Sequence, residues 1–258
     1  MAAAIVSVYE TGGPVPKYDT LAILRDGPGN IPQVTFGSHQ MTDASNSLDK
    51  CVRRIVDLAT EVGDNSAFVK TLRAAIPILA KNTTSSIRSL ASDTNFHIAL
   101  KASAKTEYGK RAQREVYDEL YVQPAVNACA GSGWVEPLSL AVVLDGMTHG
   151  SWRLIRDQVD PERPERYWIV SYLWRRRNFL KAHPRQLLKA TACRPESLLR
   201  IATGIDDMKI LQQMFMQGDF DALQRSFADG NPNLTTPLPI RMYGRRGVVT
   251  IQESDLHA

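Results

Sequence analysis

A chain of 258 residues with 43% hydrophobic and 22% charged residues suffices for one large domain or for two lobes around a shared cleft, and is too apolar to be disordered. No apolar run approaches the roughly 18 residues needed to span a membrane, and the start Met1-Ala2-Ala3-Ala4-Ile5-Val6 lacks the basic region of a secretory signal. The net charge of +4 favours an anionic partner such as a bacterial cell wall or nucleic acid, and suits a polycation only if acids gather at the site.

In chain order, an apolar run through Val6, Val8 and Tyr9 ends in the carboxylate of Glu10, ahead of Gly12-Gly13. Strands are expected between Tyr18 and Phe36. Asp26 opens the turn Asp26-Gly27-Pro28-Gly29, which leads into Gln33-Val34-Thr35-Phe36. Leu48, Cys51, Ile55 and Leu58 recur at helical spacing and predict a helix over 47–61, and the pattern resumes over 68–79. The Ser- and Thr-rich stretch 81–94 reads as a loop between lobes. Helices are then predicted from Phe96, over 110–130 and over 136–157. The break Asp160-Pro161-Glu162-Arg163-Pro164 places Pro164 at a helix start. Further helices fit 165–181, 184–203 and 206–228. The tail from Gly230 is turn-rich, with a short strand at 248–251.

Cys51, Cys129 and Cys193 are widely spaced and odd in number, which predicts buried thiols and no disulfide framework. The five histidines form no zinc-binding pattern. Neither a metal nor a cofactor is expected.

Glu10 and Asp26 stand on separate short elements. Such a pair suits hydrolysis of a glycosidic bond, in which one acid donates a proton to the leaving oxygen and the other, ionised, activates water. Val6, Val8 and Tyr9 would give Glu10 an apolar setting, and the glycine-rich turn would leave Asp26 solvated. In the apolar helix from Tyr167 to Trp174, Arg176 lies on the stripe of Ile169 and Leu180. Burial there requires a facing carboxylate; the alternative is that Arg175, Arg176 and Arg177 all emerge into solvent.

The stretch Tyr117-Asp118-Glu119-Leu120-Tyr121-Val122-Gln123-Pro124-Ala125, followed by Asp145-Gly146-Met147-Thr148-His149-Gly150, resembles the middle of the family 46 chitosanases. Gln224-Arg225-Ser226-Phe227, leading to Asn233-Leu234-Thr235-Thr236-Pro237-Leu238 and Tyr243-Gly244, resembles their C-terminal signature. An N-terminal glutamate and an Asp-Gly-x-Gly turn occur in the same order. The resemblance implies a mainly α (α+β), lysozyme-like fold of two lobes with a small β element near the N-terminal catalytic cleft. It implies one catalytic domain over 1–258, with small-lobe elements at about 14–60.

The activity implied is endo-acting, inverting hydrolysis of an amino-sugar polymer. Glu10 matches the general acid and Asp26 the general base. Asp145, Arg176 and Arg225 match members of a buried ion-pair network. Five residues after the base, where the family has a water-positioning threonine, this chain has Ile31, which leaves Asn30 and Thr35 as candidates for that role. The run Val34-Thr35-Phe36-Gly37-Ser38-His39 is also similar to a strand of phage-type lysozymes, which share the broader fold.

Asn30, Gln33 and Asp43 are candidates for hydrogen bonds to amino or acetamido groups, and Tyr18, Tyr121 and Trp152 for supporting sugar rings. Between Tyr9 and Asp43 the acids Glu10, Asp19, Asp26 and Asp43 face Lys17, Arg25 and the titratable His39. This locally acidic balance places chitosan narrowly ahead of peptidoglycan. A third reading is a non-catalytic cell-wall or nucleic-acid binding module using Arg175–Arg177 with Arg245 and Arg246; no groove-reading motif supports nucleic acid. The expected place of action is extracellular, or at a cell wall or periplasm. Oligomeric state is not legible.

Overall fold

The computed structural model describes residues 1–242 and 247–257, and the chain forms two compact units. One comprises residues 1–15 with 124–258, and the other 16–123. Arg245, Arg246, Tyr243 and Gly244 lie outside the described residues.

The first unit begins with α1 (Ala2–Thr11), whose residues Ile5, Val6 and Val8 are fully buried. It ends where Gly12 takes the left-handed conformation and donates its N–H to the Val8 carbonyl. Helix α1 packs on α8 (Pro137–Thr148), which in turn contacts α10 (Glu165–Ala182) and α12 (Cys193–Thr203). Pro164 caps α10 at its N-terminus. A side chain on Gly146 would meet the Tyr172 hydroxyl, so glycine lets α8 lie close to α10 beside Asp145.

Three long predicted helices are divided here. The 136–157 span ends α8 at Thr148, turns through Gly150 (φ 80°) and restarts as α9 (Trp152–Ile155). The 184–203 span is α11 (Gln186–Ala190) and α12. The 206–228 span is α13 (Met208–Gln217) and α14 (Phe220–Ser226), separated by left-handed Gly218 and a cap from the Asp219 side chain. Two strands close the unit, β4 (Leu238–Arg241) pairing antiparallel with β5 (Val248–Ile251).

The second unit opens with a three-stranded antiparallel sheet of β1 (Leu21–Leu24), β2 (Gln33–Phe36) and β3 (Met41–Thr42), in that order. Leu24 opposes Gln33, so 25–32 form the tip of the β1–β2 hairpin. Helices α2 (Ser47–Glu61), α3 (Ala67–Leu79), α4 (Thr84–Ser92), α5 (Thr94–Ser103) and α6 (Glu107–Tyr117) follow.

Helix α4 corrects the expected loop over 81–94. Thr83 and Ser86 form a reciprocal cap, and Ile87 and Leu90 are buried, so the polar residues serve the helix start and its outer face. The predicted 110–130 helix is interrupted by a π-turn at Asp118–Val122 before α7 (Gln123–Gly131). Pro124 has no N–H to give and crowds the preceding turn, which favours the widened geometry. Among the described residues no helix is long and apolar enough to cross a membrane.

Candidate active site

In the first unit, four charged side chains form a continuous buried line. Glu10, one residue from the end of α1, accepts a hydrogen bond at Oε1 from Arg194 Nη2 at 2.6 Å. Arg194, in the first turn of α12, also donates from Nε to Asp145 Oδ1 at 2.9 Å. Asp145, near the end of α8, accepts at Oδ2 from Arg176 Nη1 at 2.5 Å. Arg176 donates from Nε to Ser151 Oγ at 2.7 Å. The side chains of Asp145 and Arg176 are 0% exposed, Arg194 7% and Glu10 11%. Signs alternate and sum to zero, which is what makes burial of four charges tolerable.

Burial alone would raise the Asp145 carboxyl, but Arg176 and Arg194 outweigh it and hold the group at about 2. Burial lowers the His149 imidazole to about 3, with Arg194 and Arg176 pushing the same way, so this ring is neutral at pH 7. Tyr9 completes the wall: its hydroxyl donates to the Arg194 carbonyl at 3.3 Å, and the Arg194 guanidinium stands 5.0 Å from its ring centre. Val6, Val8 and Tyr9 are buried as expected, yet the Glu10 carboxylate meets a guanidinium instead of a purely apolar wall.

Arg225 is not part of this line. It is exposed on α14, and among the described residues it has no ion-pair partner. Arg194 occupies the place that the resemblance gave to Arg225. The signal for Arg194 was the one that singled out Arg176, a charge on the same stripe as buried Leu198 and Ile201. Arg177 is also buried and pairs with Glu196 at 2.9 Å, which leaves only Arg175 of the triplet exposed. A basic binding face built on 175–177 therefore loses two of its three members.

In the second unit, Asp26 sits half-buried at the hairpin tip. The tip folds tightly: Gly27 donates its N–H to the Ile31 carbonyl at 3.2 Å, Asn30 donates to the Gly27 carbonyl at 2.9 Å, and Gly29 and Asn30 have φ near 60°. Asn30 is exposed and Ile31 buried. Gln33 Nε2 donates to Asp26 Oδ1 at 2.7 Å.

Along β2, Val34 and Phe36 enter the core, while Gln33 and Thr35 share the opposite face and are buried too. Gln33 Oε1, Thr35 Oγ1 and Asp43 Oδ2 are buried without a hydrogen-bond partner among the described residues. Leaving such an atom unpaired costs about 1–3 kcal/mol. His39 stacks on Tyr117 with ring centres 3.4 Å apart, and Tyr121, on the π-turn, lies 5.5 Å from Tyr117. Tyr18 is half-buried and accepts from Arg114 Nη1 at 3.2 Å. Trp152 is buried in the other unit, in an aromatic cluster with Trp168 and Tyr172.

Burial raises the Asp43 carboxyl to about 6, against the lowering effect of backbone N–H groups, including that of Ala44. The folded state then binds this proton more tightly than the unfolded chain. Asp43 consequently subtracts stability progressively as pH rises from about 4 to about 6. Asp43→Asn is expected to raise stability by about 1–3 kcal/mol at pH 8 and by little at pH 4. Thermal melts at the two pH values test this, and an equal change at both would remove the assigned cause.

Cys51 and Cys129 are buried and Cys193 is half-buried. Among the described residues no group of three or more His, Cys, Asp or Glu side chains is placed to hold a metal ion.

No protein-family model matches the chain, and no curated protein matches it. Solved structures do. A native chitosanase from Bacillus subtilis MY002 is 19% identical, with a TM-score of 0.72 over 97% of this chain and 96% of that one. A mutant of the chitosanase from that source, complexed with 6 GlcN, is 18% identical with the same TM-score and coverage. The GH46 chitosanase of Gynuella sunshinyii, in complex with chitotetraose, is 20% identical, with a TM-score of 0.69 over 97% and 95% of the two chains. Over nearly its whole length, this chain has the mainly helical fold of those chitosanases.

Proposed function

We propose that this chain is an endo-acting, inverting glycoside hydrolase that cleaves β-1,4 bonds of an amino-sugar polysaccharide, with chitosan ahead of peptidoglycan. The observation that carries the reading is Glu10 at the accessible end of a buried line of charges, within a fold shared with chitosanases that bind glucosamine oligomers. Glu10 gives its proton to the leaving glycosidic oxygen as the bond to C1 breaks. Asp26 takes a proton from the water that forms the new bond to C1. The two carboxyls then exchange protons with solvent to restore the starting state.

Arg194 fixes the Glu10 rotamer through one oxygen. Gln33 likewise holds one oxygen of Asp26, leaving the other for the water's proton. The side chain of Ile31 has no hydrogen-bonding group. Thr35 Oγ1 and Gln33 Oε1 are the acceptors left for that water, and Asn30 is exposed on the same turn. Asp43 is the acid assigned to a sugar amino group, and Tyr18 and Tyr121 are the rings assigned to the sugar faces. Action outside the cell or at a cell wall fits such a substrate. The net charge of +4 favours the second reading, a lysozyme acting on peptidoglycan.

Incubation with chitosan and with purified peptidoglycan side by side, read by mass, tests the assignment. Chitosan oligomers of several lengths are expected, in the α-anomer at early times, and their release should weaken with added salt as exposed charge attraction is screened. Turnover of peptidoglycan alone would make the protein a lysozyme. Turnover of neither would remove the enzymatic reading.

A further inference from the structure

All four tryptophans of the chain, Trp134, Trp152, Trp168 and Trp174, line two cavities of the first unit that share Val159. The first cavity, about 440 Å³, is bounded by Trp134, Trp152 and Trp168, with Arg156 and Asp157 among its polar lining. Its rings form one cluster: Trp134 lies 4.6 Å and Trp152 5.7 Å from Trp168, centre to centre. The second, about 390 Å³, is bounded by Trp174, Phe215 and Phe220, with Asp160, Arg163 and Arg175. Trp174 and Phe215 stack with centres 4.6 Å apart and planes only 5° from parallel. None of these residues belongs to the line from Glu10 to Arg176.

The core encloses Trp152 and Trp168, each 6% exposed, whereas Trp134 and Trp174 are only half-buried and Phe220 is 41% exposed. Trp152, though 6% exposed, leaves its indole N–H without a partner among the described residues. Aromatic faces with donors and acceptors beside them suit pyranose rings, whose C–H faces are apolar and whose rims carry hydroxyls. Two adjoining cavities that share a wall suit successive units of a chain.

Charge selects among sugars. Arg156 pairs with Asp157 at 3.0 Å and Arg163 with Asp160 at 3.5 Å, while Arg175 is exposed. The lining thus offers no net negative charge to an ammonium group. We propose that these cavities form a second glycan-binding surface, separate from the Glu10 site, that takes neutral N-acetylated hexosamine units. The choice of a glycan rests on the hydrolase reading above; the choice of acetylated units rests on the charges of this surface.

Full-length Glu10→Gln protein is incubated with N-acetylglucosamine hexamer or glucosamine hexamer and followed by amide hydrogen exchange. The acetylated hexamer is expected to slow exchange in 128–134 and 156–163. Retention of the same protein on an N-acetylated polymer gel should fall by about fivefold when Trp134→Ala and Trp174→Ala are combined. Ala128→Phe, which fills the first cavity while keeping every tryptophan, should weaken retention in the same direction.

No slowing in either segment, or retention within about twofold of the parent for both variants, overturns the surface. Slowing by glucosamine hexamer alone overturns the assignment to acetylated units. Hydrolysis by the unsubstituted chain is read separately: products without protection leave the enzyme standing and remove this surface, and protection without products does the reverse.

Discussion

Replacing Arg194 by alanine is expected to lower the unfolding free energy by about 3–5 kcal/mol at pH 7. Arg194 is the middle link of the buried line and touches two carboxylates, Glu10 and Asp145. Without it, fully buried Asp145 keeps Arg176 as its one ionic partner among the described residues, and the desolvation already incurred by the two acids is only partly offset. The effect should shrink in acid. Asp145 is held at about 2 in the folded protein, against 3.8 as a free side chain. A depressed carboxyl contributes stability fully above its unfolded value, and that contribution is lost as pH falls from about 4 towards 2. Arg225→Ala, on an exposed arginine of α14, should change stability by no more than about 0.5 kcal/mol. Urea midpoints for both variants, with unchanged denaturant slopes, separate the two arginines. A loss below about 1 kcal/mol for Arg194→Ala would show that the line is not an energetic unit.

What the sequence disclosed followed from how local its signals were. The α2 prediction at 47–61 matches the observed ends because one clean apolar stripe there has one mate, the core. Helix α4 escaped the same test. Its Ser and Thr residues suggest a loop by composition, and only the pairing of Thr83 with Ser86 reveals a helix start. Strands β3 and β4 were not legible, since a two-residue strand and one containing Pro239 exist only through their partners β2 and β5.

At the site, an arginine on an apolar stripe left two outcomes for Arg176, burial against a carboxylate or emergence into solvent, and its pairing with Asp145 is the first of them. The resemblance chose Arg225 by position along the chain, where the fold brings Arg194 instead. Family order fixes which residues are near in sequence, whereas a buried guanidinium is fixed by which helix start faces α1 and α8. The orphaned acceptors on β2 were equally hidden, because period-two alternation suggests one polar, solvated face where both faces are in fact buried.

Glu10→Gln is expected to lower kcat on the polymer by about 10²–10⁴-fold, the range contributed by one positioned acid or base. Glutamine keeps an oxygen to accept from Arg194 and nearly the same volume, so the fold should persist and the loss should fall on proton transfer. Chemistry separates this role from mere support. A substrate whose leaving group departs without protonation, such as a dinitrophenyl glycoside of the same sugar, should regain most of its rate in Glu10→Gln, because the missing proton no longer matters. Asp26→Ala should show a comparable loss on the polymer and no such recovery. Azide, an anion that attacks without a base, should instead restore its turnover and yield a glycosyl azide of inverted configuration. Recovery by azide in Glu10→Gln, or by the dinitrophenyl group in Asp26→Ala, would exchange the two roles. Full activity of either variant on unmodified polymer would remove that residue from the reaction and return the Arg194–Asp145–Arg176 line to a purely structural part.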